Sequence, residues 1–211
     1  SDLCFAAITT VRGWIGDCDS FDLELESQND RLKYVREFFS ATTEIHLLSF
    51  REIASQYILA WNPRVWQVLN VDSAYSMEAS AQEWMRVLAN VPSYMMFDDH
   101  EVTDDWNLND RWMRRSHAHR GARRIVANAL AAYWLFQGWG NVPARYGPAT
   151  AEGSRSHRIL ASLPTAVTKR PEEDEALEDL MSRQRDWSYS SPTFPSFLFI
   201  DTRANRVRDR S

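Results

Sequence analysis

The stretch that decides the fold is residues 91–106, VPSYMMFDDHEVTDDW. Its apolar part, YMMF at 94–97, is typical of a short buried strand and leads directly into Asp98, Asp99, His100 and Glu101. Strand ends are where α/β proteins place ligands and catalytic groups. Carboxylates beside an imidazole bring together oxygen ligands, a nitrogen ligand and a proton donor. The sequence therefore predicts a strand at 93–97 followed by a functional acidic loop.

Two interpretations of residues 98–101 are open. Acidic side chains commonly cap the turn or helix that follows a strand. However, four consecutive ionisable groups exceed what a cap needs, and neighbouring carboxylates repel one another unless a cation or proton intervenes. A zinc helix of the HExxH type is disfavoured, because the second ligand would be Asp104 and a strand would precede His100. The loop is thus either a cap or a metal site.

Most of the chain outside this loop shows helical periodicity. Helices are predicted at 29–41, 44–61, 76–89, 109–137 with a break at Gly121, and 171–185.

The remaining segments are predicted as strand or loop. Residues 3–16 are apolar without clean alternation and are compatible with one or two strands, whereas 142–165 is predicted as loop or short helix. SFLFID at 196–201 is typical of a final buried strand. These elements predict an α/β fold in which helix dominates, in a single domain spanning 1–211.

Composition narrows the class of protein. The 211 residues are 44% hydrophobic and include nine Trp and ten Phe, which favours a packed fold over disorder. A net charge of -5 argues against a specific nucleic-acid partner, and no apolar run approaches the roughly 20 residues that span a bilayer. We therefore expect no membrane partner and take the cytoplasm as the default location. The chain lacks an initiator Met, so we expect a piece of a longer protein.

Other candidate ligands have weaker support. The turn GDCDSFD at 16–22 is either a solvated acidic turn or a metal loop that contains Asp17. His46 is predicted to be structural, because no other ligand type has matching spacing. A metal pair at His117 and His119 is opposed by nearby arginines, which form a solvated helix face or attract a phosphate: Arg114, Arg115, Arg120, Arg123 and Arg124.

The acidic loop and its surroundings resemble a known family. YMMFDDHEVTDDWNL is similar to the signature of PhoD-like metallophosphatases, the alkaline phosphatase D family. The likeness extends upstream through HLLSFREIASQYILAWNPRVW and downstream through GARR, ANALAAYWLFQGWGN and LFIDTRANR, so that it covers about residues 30–206. This family resembles the calcineurin-like phosphoesterases, which implies that the chain is the helix-rich part of a metallophosphoesterase-type α/β sandwich.

The resemblance also implies a chemistry. It makes Asp99 a metal ligand, His100 the group that contacts phosphate and protonates the leaving oxygen, and Glu101 the group that orients His100. A divalent or mixed-valence metal pair would neutralise the phosphoryl oxygens of a phosphate ester and activate a water. Asp17 is the candidate for a further metal ligand, although the Tyr of the family's Gly-Asp loop is missing here.

Two functions follow from these residues. The first is a metal-dependent phosphoric ester hydrolase, acting on monoesters or diesters, that is incomplete in this chain because other ligand motifs are missing. The second is a non-catalytic fragment or pseudoenzyme that acts by packing or partner binding.

Overall fold

The structure, a computed structural model, describes residues 28–39, 46–66, 74–104, 106–147, 150–166, 176–184 and 187–206. These ranges do not include Asp17, the possible strands at 3–16 or either cysteine. The predictions made for Asp17 and for residues 3–16 therefore stay predictions. The single domain over 1–211 is likewise untested.

Helices make up most of the described chain. In chain order they are α1 Gln28–Phe38, α2 Phe50–Trp61, α3 Pro63–Trp66, α4 Ala74–Asn90, α5 Asp110–Ala118, α6 Arg120–Tyr133, α7 Trp139–Asn141, α8 Ala151–Ala166 and α9 Ala176–Ser182. A π-helical turn, Trp134–Gly138, joins α6 to α7, and a 3₁₀ turn, Pro143–Tyr146, follows α7. No described helix has the length and apolar character that a bilayer crossing requires.

The first predicted helices are confirmed, but their ends are set by capping. α2 begins at Phe50 rather than at residue 44, because Ser49 and Glu52 form a capping box. The Ser49 hydroxyl accepts from the Glu52 amide at 3.2 Å, and the Glu52 carboxylate accepts from the amides of Ser49 and Leu48 at 3.0 and 2.9 Å. These bonds satisfy amides that have no partner within the helix.

The long helical pattern at 109–137 breaks at His119 and not at Gly121. Asn109 caps α5 by accepting from the Trp112 amide at 2.7 Å. His119 is extended (φ -96°, ψ 122°) and ends α5, whereas Gly121 lies inside α6. The expectation of loop or short helix at 142–165 holds for the 3₁₀ turn Pro143–Tyr146 but is wrong from residue 151 onward. There α8 runs for 16 residues and buries Ile159 and Leu163 four residues apart.

α6 lies at the centre of the core and packs against α2, α5 and α9. Its alanines, including Ala122, Ala127 and Ala131, are almost fully buried, and their small side chains allow neighbouring helices to approach closely. Arg124 is also fully buried: its Nε donates to Asn128 Oδ1 at 3.1 Å, and Asn128 donates to the Leu48 carbonyl at 3.1 Å. Arg124 therefore belongs to the core and not to a solvated helix face.

The predicted strand at 93–97 is an extended segment that pairs with no strand in the described part of the chain. Side chains satisfy its backbone instead. The Met95 amide donates to Asn141 Oδ1 at 3.0 Å. The Met95 carbonyl accepts from Asn141 Nδ2 at 2.6 Å, from the Tyr189 hydroxyl at 2.8 Å and from the Tyr133 hydroxyl at 3.0 Å. Bonds from α6, α7 and β1 thus replace a sheet ladder.

The π turn after α6 keeps Tyr133 close to this segment. Gly138 ends the turn, and an ideal Cβ at this glycine would lie 3.3 Å from Tyr133 Cε1. The ring of Tyr133 also meets Phe97 edge-on, with centroids 4.9 Å apart.

A single two-stranded antiparallel sheet is present in the described residues: β1 Tyr189–Ser190 and β2 Leu198–Phe199. Tyr189 pairs with Phe199, and their rings stack at 4.7 Å. The prediction of a buried strand at 196–201 was wrong about burial, because Phe197, Leu198 and Ile200 are each more than half exposed. The chain therefore combines many helices with a small sheet, and a full sandwich stays a prediction.

We predict that Asn141→Ala lowers the free energy of unfolding by about 2 kcal/mol, because it removes both Asn141 bonds to Met95 and leaves a half-buried amide unsatisfied. Urea unfolding followed by tryptophan fluorescence measures this change. Asn90→Ala is the matched control, since Asn90 is exposed and bonds only the Arg86 carbonyl within its own helix. Equal losses in the two variants would contradict the anchoring role of Asn141.

Candidate metal centre

The acidic loop begins where the extended segment is fixed in the core. Phe97 is 3% exposed and lies against Tyr133, Trp106 and Trp187, with ring centroids between 4.9 and 5.7 Å away. Val102 and Thr103 are buried on the other side of the loop. Residues 98–101 therefore stand between two buried anchors, which restricts how the intervening side chains can move.

Two of the acids cap the turn. The Asp98 carboxylate accepts from the His100 amide at 2.8 Å, and the Glu101 carboxylate accepts from the Asp98 amide at 2.8 Å. The Asp99 carbonyl closes the turn by accepting from the amides of Val102 and Thr103. The capping interpretation is thus correct for the carboxylates of Asp98 and Glu101. The side chains of Asp99 and His100 take no part in these capping bonds.

Three carboxylates surround His100. Its Nδ1 lies 3.2 Å from Asp98 Oδ1 and 3.6 Å from Asp99 Oδ1, and its Nε2 lies 3.3 Å from Asp104 Oδ1. One ligand atom each from Asp98, Asp99 and His100 falls within 4.8 Å of the others. Two carboxylate oxygens and an imidazole nitrogen at this spacing suit a divalent cation. The donor set fits a metal, and it is the only such group in the residues that the structure describes.

Asp99 also has a cationic partner from the far end of the chain. Arg203 Nη2 lies 3.3 Å from Asp99 Oδ1, and both side chains are mostly buried. The two residues are 104 positions apart, and nothing in the local sequence pattern indicated their contact. In the sequence, Arg203 stood out only as part of Asp-Thr-Arg in the stretch LFIDTRANR.

Glu101 and His100 are not in contact in the described structure. The imidazole contacts Asp98, and the carboxylate of Glu101 bonds the Asp98 backbone. The orienting role that the resemblance gives to Glu101 stays a prediction. The contact that orients the imidazole comes from Asp98, to which the sequence analysis gave no separate role. Only its position in the DDHE stretch indicated that Asp98 lies beside His100.

The electrostatics of the loop follow from these contacts. The hydrogen bond and negative charge of Asp98 raise the pKa of His100, and Asp99 and Asp104 add to this effect. Burial acts to raise the pKa of Asp98, but hydrogen bonds from the His100 amide and from neighbouring side chains bring it below its usual value. Burial raises the pKa of Glu101. The loop therefore holds a readily protonated imidazole beside ionised Asp98.

A cleft of about 530 Å³ opens beside the loop. Its lining includes Asp98, His100 and Glu101 from the loop, and His46, Tyr57 and Gln137 from outside it. Tyr57 stacks on Phe136 with the ring planes 7° apart, and the burial of its hydroxyl raises its pKa. The ring of His46 contacts that of Phe39 at 4.9 Å, as expected of a structural histidine, yet it also lines the cleft. Helical spacing could not indicate that His46 and His100 line the same cleft.

The histidines His117 and His119, which the sequence disfavoured as a metal pair, are not brought together with the acidic loop. His117 lies near the end of α5 and its carbonyl accepts from Arg123 at 2.6 Å, and the ring of His119 contacts Phe38 at a tilt of 45°. Trp106, which follows the acidic loop, is 3% exposed and belongs to the core.

We predict that Asp98→Asn lowers the pKa of His100 more than Asp104→Asn does. Asp98 contributes a hydrogen bond as well as its charge, whereas Asp104 acts through charge alone. NMR titration of the His100 ring protons in the metal-free chain measures both variants. A larger change for Asp104→Asn would mean that charge and not the hydrogen bond governs this imidazole.

Comparison with known proteins identifies the segment that carries this loop. The family model described as PhoD-like phosphatase matches residues 72–162, fewer than half of the 211 positions. This range includes the whole acidic loop, α5 and α6, and it excludes the hairpin and Arg203. No significant match is found among curated proteins or solved structures. Residues 72–162 thus match the PhoD-like phosphatase family, consistent with a partial PhoD-like protein, and the resemblance seen in the acidic loop is confirmed.

Proposed function

We propose that this chain carries part of the active site of a metal-dependent phosphoric ester hydrolase. One observation supports this above the others: within the PhoD-like segment, ligand atoms of Asp98, Asp99 and His100 lie within 4.8 Å of one another at the edge of a cleft. Phosphate esters are the substrates that membership of a phosphatase family implies. Monoesters and diesters are both included in the proposal.

The metal would be held by Asp99, with Asp98 as a neighbouring oxygen donor, and Asp17 stays a candidate for a further ligand. A divalent or mixed-valence metal pair supplies positive charge for the phosphoryl oxygens and acidifies a water. The chain's own groups hold and deliver the proton. The metal would then be held by the aspartates, and His100, whose Nδ1 lies 3.2 Å from Asp98 Oδ1, would donate a proton to the leaving oxygen of the ester.

The part of the cleft lining outside the acidic loop would receive the organic part of the ester. It offers the neutral polar groups of Gln56, Tyr57 and Gln137 together with apolar Leu47 and Met96. The described lining contains no lysine or arginine. This composition suits an uncharged leaving group better than a second phosphate.

We predict that His100→Ala lowers the rate of hydrolysis of p-nitrophenyl phosphate or its diester by about a hundredfold or more, since a general acid contributes that much. The measurement is p-nitrophenolate release with added divalent metal. His157→Ala is the matched control, because His157 is exposed on α8, away from the cleft, and its loss should leave the rate unchanged. Equal rates for the His100 variant and the unaltered chain would remove His100 from the mechanism.

A second function has one specific observation in its favour. Asp99 is paired with Arg203, and the described donor set supplies three residues, fewer than a two-metal centre needs. A non-catalytic partner-binding module would have this composition. Metal analysis of the purified chain separates the two: a folded chain that retains no divalent metal and has no turnover supports the second function.

A further inference from the structure

We propose that Arg203 is a built-in counterion of Asp99 that competes with a divalent cation for this carboxylate. The inference rests on the proposed function, since it takes Asp99 as a metal ligand. It concerns a residue that lies outside the segment matched by the PhoD-like family.

Arg203 and His100 lie near the same oxygen of Asp99. Arg203 Nη2 and His100 Nδ1 lie 3.3 and 3.6 Å from the same oxygen, Asp99 Oδ1. A cation bound at that oxygen would stand within a few ångströms of the guanidinium charge. At such distances two like charges repel appreciably near a protein surface. A metal therefore binds Asp99 only at the cost of this ion pair or against its repulsion.

Hydrogen bonds fix the turn that places Arg203 beside Asp99. The buried Asp201 carboxylate accepts from the amides of Arg203 and Ala204, each at 2.8 Å. The Arg203 carbonyl in turn accepts from Asn107 Nδ2 at 3.3 Å, which ties the turn to the end of the acidic loop. The backbone of Arg203 is thus held from two sides, so its side chain starts from a fixed position near Asp99.

The Arg203 guanidinium has an alternative partner when a cation binds Asp99. Its Nη1 already donates to the neighbouring Thr202 hydroxyl at 3.1 Å, and the side chain is 24% exposed. Arg203 can therefore turn away from Asp99 without leaving its turn. Asp99 has two states, paired with Arg203 or bound to metal, and Arg203 sets the metal affinity by stabilising the first.

The test is the affinity of the 211-residue chain for Mn²⁺, measured by the EPR signal of free Mn²⁺ at low ionic strength. Arg203→Gln should bind Mn²⁺ about tenfold more tightly, because it removes a partly screened positive charge next to the ligand oxygen. Circular dichroism checks that the variant is folded. Arg203→Met, which keeps the aliphatic stem without the charge, provides the same comparison if the Gln variant does not fold.

Two control variants separate charge from loosening of the turn. Arg206→Gln removes another cation from the same segment, one whose Nε bonds the Thr202 carbonyl at 3.3 Å, and should leave the affinity unchanged. Asn107→Gly removes the tie to the Arg203 carbonyl but keeps the guanidinium. Asn107 has φ 61°, which glycine adopts without strain, and the two Asp201 bonds still hold the turn, so this variant should change the affinity by less than about twofold.

The outcomes distinguish this inference from the proposed function. Mn²⁺ binding by the unaltered chain with equal affinity in the Arg203 variants overturns the competition while the metal site stands. A tenfold gain in Mn²⁺ affinity in Asn107→Gly as well would assign the gain to loosening of the turn, and this also overturns the competition. Absence of Mn²⁺ binding in every variant overturns both. A gain confined to the Arg203 variants supports the competition.

Discussion

Backbone groups of an extended segment need hydrogen-bond partners, and in this protein side chains provide them at Met95. Four bonds from Tyr133, Asn141 and Tyr189 converge on one residue, and they come from the end of α6, from α7 and from β1. These bonds connect the helical core and the hairpin to the segment that precedes the acidic loop. The position of Asp98 three residues later depends on this connection.

The charges of the loop are balanced internally. His100 lies among three aspartates, and Asp99 has Arg203 as a further partner. Repulsion between consecutive carboxylates was the reason to expect a cation near residues 98–101. In the described structure, part of that charge is met by the imidazole, by the guanidinium and by backbone amides. The acidic stretch therefore serves as a cap and retains donors that fit a metal.

The sequence predicted the features that depend on local patterns. Helical periodicity located α1, α2, α4 and the α5–α6 pair, and the DDHE stretch located the candidate site. Features that depend on contacts between distant residues were not predictable. YMMF has the composition of a strand, but whether it pairs is decided by what lies beside it.

Burial shows the same limit of local pattern. Arg124 sits in an arginine-rich stretch that indicates a solvated surface, yet it is buried. Its Nε donates to Asn128, and its Nη1 lies 3.9 Å from the Glu178 carboxylate, whose charge opposes its own. The contact between Asp99 and Arg203 depends on the chain returning over 104 residues, which no spacing rule describes.

Gly138 affects the candidate site indirectly, through Tyr133. An ideal Cβ at this glycine would make a tight contact of 3.3 Å with the tyrosine ring, and the hydroxyl of that ring donates to the Met95 carbonyl. A side chain at 138 would therefore require a shift of the ring that holds the segment before the aspartates. The missing side chain at this position thus helps to keep the aspartates in register, although it touches none of them.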